Sequence, residues 1–335
     1  MSLIQIKSIL EVKDLSAEFH SADGNFLAVD KVSWSIDSGK TLGIVGESGS
    51  GKSVSALSVL GLVPNPPGKI VNGSVNYLGS NLLNSSEKFL RKIRGNEISM
   101  IFQDPMTSLN PVLTIGRQLT EVYKLHERLS SKKAKVNSIE ILKKVGIPSP
   151  ERRMKEYPHQ LSGGMRQRVM IAMALACKPK VLLADEPTTA LDVTIQAQIL
   201  RLMENLQSEF GMSIVLISHD MGLIAQNCDH VMVMYAGQIM EQGPTKELFE
   251  NPQHPYTKGL LTSIPKLKTE LTEKKQNILE TIPGNIEPPS SRPKGCVFSN
   301  RCSHKLEICS DQQPKDFEIK PLHLARCWLF PSNDC

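Results

Sequence analysis

Apolar and polar residues alternate through residues 1–40, as in Ile9-Leu10-Glu11-Val12 and Val32-Ser33-Trp34-Ser35-Ile36. A period of two predicts an antiparallel sheet, with turns at Asp23-Gly24 and Ser38-Gly39. Thr41-Leu42-Gly43-Ile44-Val45 is different: short and apolar, it runs into a Gly/Ser loop and a helix expected to start near Lys52. Val181–Ala184 and Ser213–Ile217 share that near-continuous apolar character, which suits parallel strands covered on both faces. Between about 104 and 176 the chain turns polar and helical, so a helical subdomain inserted into an α/β core is expected. Residues 231–243 return to strand–turn–strand around Ala236-Gly237. Beyond residue 250, prolines at 252, 255, 265, 283, 288, 289 and 293 and the charged stretch Lys266–Lys275 mark a linker into a small C-terminal module. The expected division is therefore 1–250 and 251–335.

Composition changes this picture little. Hydrophobic residues make up 40% and charged residues 22% of 335 positions, ordinary for a soluble domain with a real core. The net charge of +5 permits contact with anionic lipid or nucleic acid but argues for neither. No basic stripe with interleaved aromatics appears, so no nucleic-acid partner is expected. No apolar run approaches the roughly 18 residues of a membrane span. Met1 to Val12 lacks a basic stretch followed by a long apolar run, so no signal peptide is read there. The expectation is a cytoplasmic chain whose membrane role, if any, comes through a partner.

The chemistry begins after the strand at 41–45. Gly46-Glu47-Ser48-Gly49-Ser50-Gly51-Lys52-Ser53 matches G-x-x-x-x-G-K-[ST] between a strand and a helix, with Val54 following. Glycines let backbone N–H groups turn inward around phosphate oxygens, and the helix N-terminus adds partial positive charge. Lys52 would reach the β- and γ-phosphates, and Ser53 would ligate Mg²⁺. Such a loop needs a carboxylate at the end of a neighbouring strand. Val181-Leu182-Leu183-Ala184-Asp185 supplies it, and Glu186 follows at once. Asp185 is assigned to the Mg²⁺ shell and Glu186 to polarising the attacking water. Adjacent strand residues point opposite ways, so both can face a nucleotide only if the chain bends there.

Leu161-Ser162-Gly163-Gly164-Met165-Arg166-Gln167-Arg168 lies upstream of Asp185, where a generic phosphate-loop ATPase has no reason to carry it. It resembles the LSGGQ signature of the ATP-binding-cassette (ABC) family, with Met165 where Gln is commonest. Ser162 and the Gly163 and Gly164 amides would cap a helix and face a γ-phosphate, which in this family belongs to the partner subunit's ATP. The resemblance covers roughly residues 8–250 and implies a P-loop NTPase cassette: a mixed-sheet core, an antiparallel β subdomain and the helical insertion. It further implies that Gln103 is the Q-loop glutamine, sensing Mg²⁺ and water. Ala190-Leu191-Asp192 would be the D-loop at the dimer interface, and His219 the switch histidine holding the water and Glu186. Phe19 fits the aromatic that stacks on adenine, with His20 or Phe26 as alternatives. Two cassettes would sandwich two ATPs head to tail, with hydrolysis reopening the dimer.

Phe102-Gln103-Asp104-Pro105-Met106-Thr107-Ser108-Leu109-Asn110-Pro111, Tyr157-Pro158-His159-Gln160-Leu161-Ser162-Gly163-Gly164 and Asn251-Pro252-Gln253-His254-Pro255-Tyr256 resemble the oligopeptide/dipeptide importer branch. The resemblance implies peptide uptake powered by ATP and Mg²⁺. The implied partners are a second homologous ATPase (a heterodimer, with a homodimer as the alternative), two membrane permeases and, indirectly, an extracytoplasmic solute-binding protein. The chain would sit peripherally on the cytoplasmic face. Nickel, glutathione or another small solute is the alternative cargo, and a soluble nucleic-acid-associated ATPase the lesser alternative.

Seven cysteines remain to be placed. Four are spaced Cys296-x5-Cys302-x6-Cys309-x17-Cys327, without the Cys-x2-Cys knuckle of a zinc ribbon. Four thiolates can ligate a [4Fe–4S] cluster, and the stretch around Cys296–Cys302 resembles the peptide importers' C-terminal module, some of which are implicated in holding one. Zinc or unligated thiols are the alternatives; His304 and His323 read as surface residues, with service as substitute ligands the alternative. Cys177 and Cys228 read as packing residues and Cys335 as a free tail thiol.

Overall fold

The computed structural model describes residues 8–21, 24–104, 108–189, 191–263 and 282–330. Asp23, Pro105–Thr107, Ala190, Lys266–Lys275 and Cys335, all invoked above, lie outside them.

The alternating start of the chain forms β1 (Ser8–Ser21) and β2 (Gly24–Asp37), paired antiparallel. With β4 (Gly68–Tyr77) and β5 (Ser80–Asn81) they make a sheet of order β2-β1-β4-β5. The apolar runs become β3 (Thr41–Val45), β7 (Val181–Asp185) and β8 (Ser213–Ser218), joined by β6 (Ile98–Ile101) and β9 (His230–Tyr235). The second sheet also holds β10 (Gln238–Pro244), β11 (Phe317–Lys320) and β12 (His323–Ala325), in the order β11-β12-β10-β9-β3-β8-β7-β6. From β9 to β6 its neighbours are parallel; β10, β12 and β11 add antiparallel.

The continuous apolar pattern of the parallel strands has a simple cause. Val181 and Leu183 of β7 belong to a core shared with the antiparallel sheet, whereas Leu182 and Ala184 belong to a core shared with the helices. Successive side chains leave opposite faces of a strand, so burial on both faces demands an apolar residue at every position. Parallel direction has a second consequence. The C-terminal ends of β3, β6, β7 and β8 lie along one edge, where open α/β sheets bind their ligands.

The helices are α1 (Lys52–Val59), α2 (Glu87–Ile93), α3 (Ile115–His126), α4 (Ser131–Lys144), α5 (Pro150–Arg153), α6 (Gly163–Leu175), α7 (Val193–Phe210), α8 (Met221–Asn227), α9 (Thr245–Glu250) and α10 (Pro255–Thr262). The polar stretch after residue 104 is indeed helical. Thr114, Ser130 and Ser162 cap α3, α4 and α6 by accepting from the amides of Arg117, Lys133 and Met165. Among the described residues no helix is long and apolar enough to cross a membrane.

The described part of the C-terminal stretch does not stand apart from the core. β12 pairs with β10, and Cys296, Val297, Phe298 and Cys309 share the core of the helical side. The polar contact holding it is buried. Glu241 of β10, fully buried, accepts from the amides of Gln253 (2.8 Å) and His254 (2.9 Å) and lies 2.7 Å from Nε2 of the equally buried His323.

Candidate nucleotide site

The loop after β3 needs glycine at two points. A Cβ on Gly46 would lie 2.1 Å from the Met234 carbonyl oxygen, and one on Gly51, at φ +98°, would lie 2.4 Å from that of Ala28. The loop is thus threaded between β9 and β2. Lys52, the first residue of α1, is buried; its Nζ donates to the carbonyls of Gly46 (2.8 Å) and Glu47 (2.9 Å). Burial lowers its pKa, against the pull of Glu186, Asp185 and Glu47.

Asp185 ends β7 and is buried, with Oδ1 lacking any hydrogen-bond partner among the described residues. Burial raises its pKa, opposed by the Ser53 hydroxyl and Lys52 and reinforced by Glu186. An orphaned, buried carboxylate oxygen beside a hydroxyl fits a hard cation that takes oxygen ligands. The bend required by the sequence is present at Glu186, whose φ of +45° lies in the left-handed region. The turned chain sends Glu186 toward three partners. Its Oε2 accepts from Gln103 Nε2 (3.0 Å) and Thr189 Oγ1 (2.9 Å), and its Oε1 lies 3.4 Å from His219 Nδ1. Burial alone would raise the Glu186 carboxyl, but Thr189, His219 and Lys52 outweigh it and hold the group below its ordinary value. His219, just past β8, is 60% exposed and so free to meet a ligand.

The structure therefore gathers Lys52, Ser53, Asp185, Glu186, Gln103 and His219 at one edge. Other expected residues lie elsewhere. Ser162 caps α6 with its hydroxyl exposed, and a Cβ on Gly163 would meet open space, so this end of the helix is unobstructed. Met165 is half-buried against the helical core. Gln167 ties α6 to the strand end by donating to the Pro187 carbonyl. Asp192 caps α7, accepting from the Ile195 amide at 2.9 Å, next to the 83% exposed Val193. Phe19 stacks on Phe26, with ring centroids 6.0 Å apart, while His20 pairs with Asn25.

Sequence reasoning missed three residues here. Thr189 fixes Glu186, and only its place three positions on could have flagged it. Tyr256 and Arg301 fall in stretches noted only for their resemblance, and nothing local tied either to Glu47: the Tyr256 hydroxyl accepts from the Glu47 amide (3.0 Å), and Arg301 Nη1 lies 3.0 Å from both Glu47 carboxylate oxygens.

The cysteine expectation is only partly met. Cys296, Cys302, Cys309 and Cys327 lie close enough to act electrostatically on one another. Burial pushes Cys296 up to about 11 and raises Cys302 and Cys327. Yet among the described residues no three His, Cys, Asp or Glu side chains are grouped so as to hold a metal ion, so the geometry does not support the expected metal site. His323 is committed to Glu241 and is not a substitute ligand. Cys177 and Cys228 are half-buried, with burial raising both.

Comparison with known proteins identifies the family. The family pattern described as ABC transporter matches residues 29–189, and that described as oligopeptide/dipeptide transporter, C-terminal region, matches residues 240–309. The oligopeptide transport ATP-binding protein OppD of Bacillus subtilis (strain 168) is 49% identical over 327 residues, 98% of this chain and 90% of that protein. OppD of Escherichia coli (strain K12) is 49% identical over 324 residues, 97% of this chain and 94% of that protein. Among solved structures, the dimeric post-hydrolysis state of the ATP-binding cassette MJ0796 bound to ADP and Pi is similar at TM-score 0.64 and 28% identity, covering 70% of this chain and 98% of that one. On this evidence the chain belongs to the ATP-binding subunits of the oligopeptide/dipeptide ABC transporter family.

Proposed function

We propose that this chain binds and hydrolyses ATP to drive import of oligopeptides or dipeptides through partner permeases. One observation carries the ATPase part: Glu186, bent out of its strand, is held by Gln103, Thr189 and His219 beside Lys52 and the loop. The peptide part is supported by OppD-like relatives over nearly the whole chain.

In this reading Gly46 to Ser53 wrap the phosphates, and Lys52 exchanges the Gly46 and Glu47 carbonyls for phosphate oxygens. Bound Mg²⁺, held by Ser53, Asp185 and Gln103, would neutralise charge developing on the phosphates. Glu186 orients the attacking water and accepts its proton, its depressed pKa keeping it ionised at neutral pH. His219 steadies Glu186 and reaches toward the γ-phosphate. The open end of α6 (Ser162, Gly163, Gly164) serves the ATP of a second cassette, and Asp192 stands at that interface.

The narrower partners belong to this proposal: a homologous rather than identical second ATPase, two permeases, an extracytoplasmic binding protein, and residence on the cytoplasmic face of the membrane. So does the iron–sulfur reading of the four thiols, supported by their nearness, although among the described residues no group of side chains is arranged to hold a metal. Anaerobic purification with iron and sulfide analysis decides it; colourless, iron-free protein removes it. For the function, cells lacking the chain should lose uptake of a labelled oligopeptide and regain it from the wild-type gene but not from Lys52→Ala. Undiminished uptake without the chain would overturn the assignment.

A further inference from the structure

Glu47 is held from three directions. Lys52 takes its carbonyl, Tyr256 takes its amide, and Arg301 takes its carboxylate. Only the first contact comes from the loop's own neighbourhood. Tyr256 stands on α10, and Arg301 belongs to the cysteine-bearing stretch immediately before Cys302.

Both anchors are built to stay put. Tyr256 is fully buried and packs edge-on against Tyr235, with centroids 4.9 Å apart, and against Phe298 at 5.2 Å. The amide of Tyr256 donates to His254 Nδ1, and His254 is tied through its own amide to buried Glu241. Arg301 is 7% exposed. Its Nε donates to the Pro283 carbonyl (2.8 Å) and its Nη2 to that of Gly284 (2.9 Å), leaving Nη1 to face Glu47 and the Tyr235 hydroxyl. A planar guanidinium can satisfy these directions at once; an ammonium cannot.

We propose that Arg301, together with Tyr256, is a positioning residue for the phosphate loop, so that the C-terminal stretch sets the affinity for ATP. The proposal rests on the nucleotide-loop reading above. Its logic is pre-organisation. Loop amides bind phosphate well only if they already point inward, and a loop that must be ordered by its ligand binds that ligand more weakly. Fixing Glu47 at carboxylate and amide orders the loop beforehand. Neither anchor needs to touch the nucleotide, so the effect falls on binding more than on turnover.

The test is titration of the full-length chain with magnesium-ATP, alongside kcat and KM for hydrolysis in the assembled transporter. Arg301→Met should raise Kd and KM roughly tenfold, the range expected when a charge-assisted hydrogen bond is lost, with kcat within about twofold of wild type. Arg301→Lys should fall between the two. In a Glu47→Gln background the Arg301→Met effect should largely vanish, because contacting residues are non-additive. Tyr256→Phe, which keeps the ring and removes only the hydroxyl, should raise Kd severalfold and serves if Arg301→Met does not fold. A residue that merely fastened the extension would lower the melting temperature and leave the Kd of native protein unchanged. Unchanged Kd in the folded variants, or full additivity with Glu47→Gln, overturns the proposal. Wild-type protein that fails to bind magnesium-ATP overturns the nucleotide-loop reading itself, and the proposal with it.

Discussion

On the open side of the phosphate loop, Lys52 has Asp185 and Glu186 beside it, with His219 against Glu186; on its buried side Tyr256 and Arg301 hold Glu47, with Tyr235 packed against both. The open side is electrostatically unfinished. Among the described residues Asp185 has a carboxylate oxygen without a partner, Lys52 spends its charge on backbone carbonyls, and His219 is largely exposed. The buried side is complete: Glu47 is bonded at amide and carboxylate, and the residues doing so are themselves bonded. The difference teaches where a ligand adds free energy. Groups left without good partners gain from a bound triphosphate and cation, while satisfied groups can only hold the frame.

The sharpest way to break this comparison is on the open side. Glu186→Gln keeps shape and hydrogen bonding but removes the base, so turnover should fall on the order of 10³-fold while ATP binding persists. Single-turnover hydrolysis beside nucleotide titration checks it, and normal turnover would remove Glu186 from its role. Next comes the buried side. Glu241→Ala leaves two amides and His323 without their shared acceptor, a loss of about 3 kcal/mol in stability. Chemical denaturation measures it; a midpoint shift equivalent to well under 1 kcal/mol would contradict the account. Lys52→Ala should weaken ATP binding about 100-fold, since in the proposed reading it deletes the cation that meets the phosphates. An unchanged affinity would argue against the loop assignment.

The remaining expected effect concerns acid. His254 is fully buried, and desolvation, opposed by Glu241 and aided by Lys258, lowers its pKa to about 4. A base that titrates lower when folded is protonated first in the unfolded chain. Its contribution is therefore fully present above about pH 6.5 and is lost as pH falls toward about 4, at up to roughly 1.4 kcal/mol per pH unit. His254→Asn can still accept from the Tyr256 amide but does not titrate. Its denaturation midpoint should depend less steeply on pH between 6.5 and 4.5 than that of wild type; parallel curves would refute the assignment.

What the sequence made legible follows the same divide. That residues 46–53, Asp185 and Glu186 come together was foreseeable, because the phosphate and metal chemistry proposed for them needs contiguous residues at strand ends. The bend at Glu186 was legible as a requirement, since a straight strand would aim one carboxylate away, and it is met by a positive φ. Strands β4 and β6 went unread: Gly68–Tyr77 carries interior asparagines and a glycine, and Ile98–Ile101 is too short to show a period. Arg301 and Tyr256 were illegible for a deeper reason. Each acts on Glu47 across a sequence gap that no local pattern spans. Cysteine spacing named the four thiols but said nothing of their arrangement.

The last two strands also protect the molecule from its own kind. β11 ends the large sheet with Glu318 and Lys320 turned to solvent, whereas β10, bonded to β12 beneath it, is nearly all buried. A chain cut short before Phe317 would bare the backbone of Glu241 and Gln242 beside the apolar pair Ile239-Met240. Such an edge recruits another copy. Chains shortened in this way should therefore precipitate on expression more than the 335-residue chain does, which the soluble fraction of a lysate measures; equal solubility would contradict a shielding role for β11.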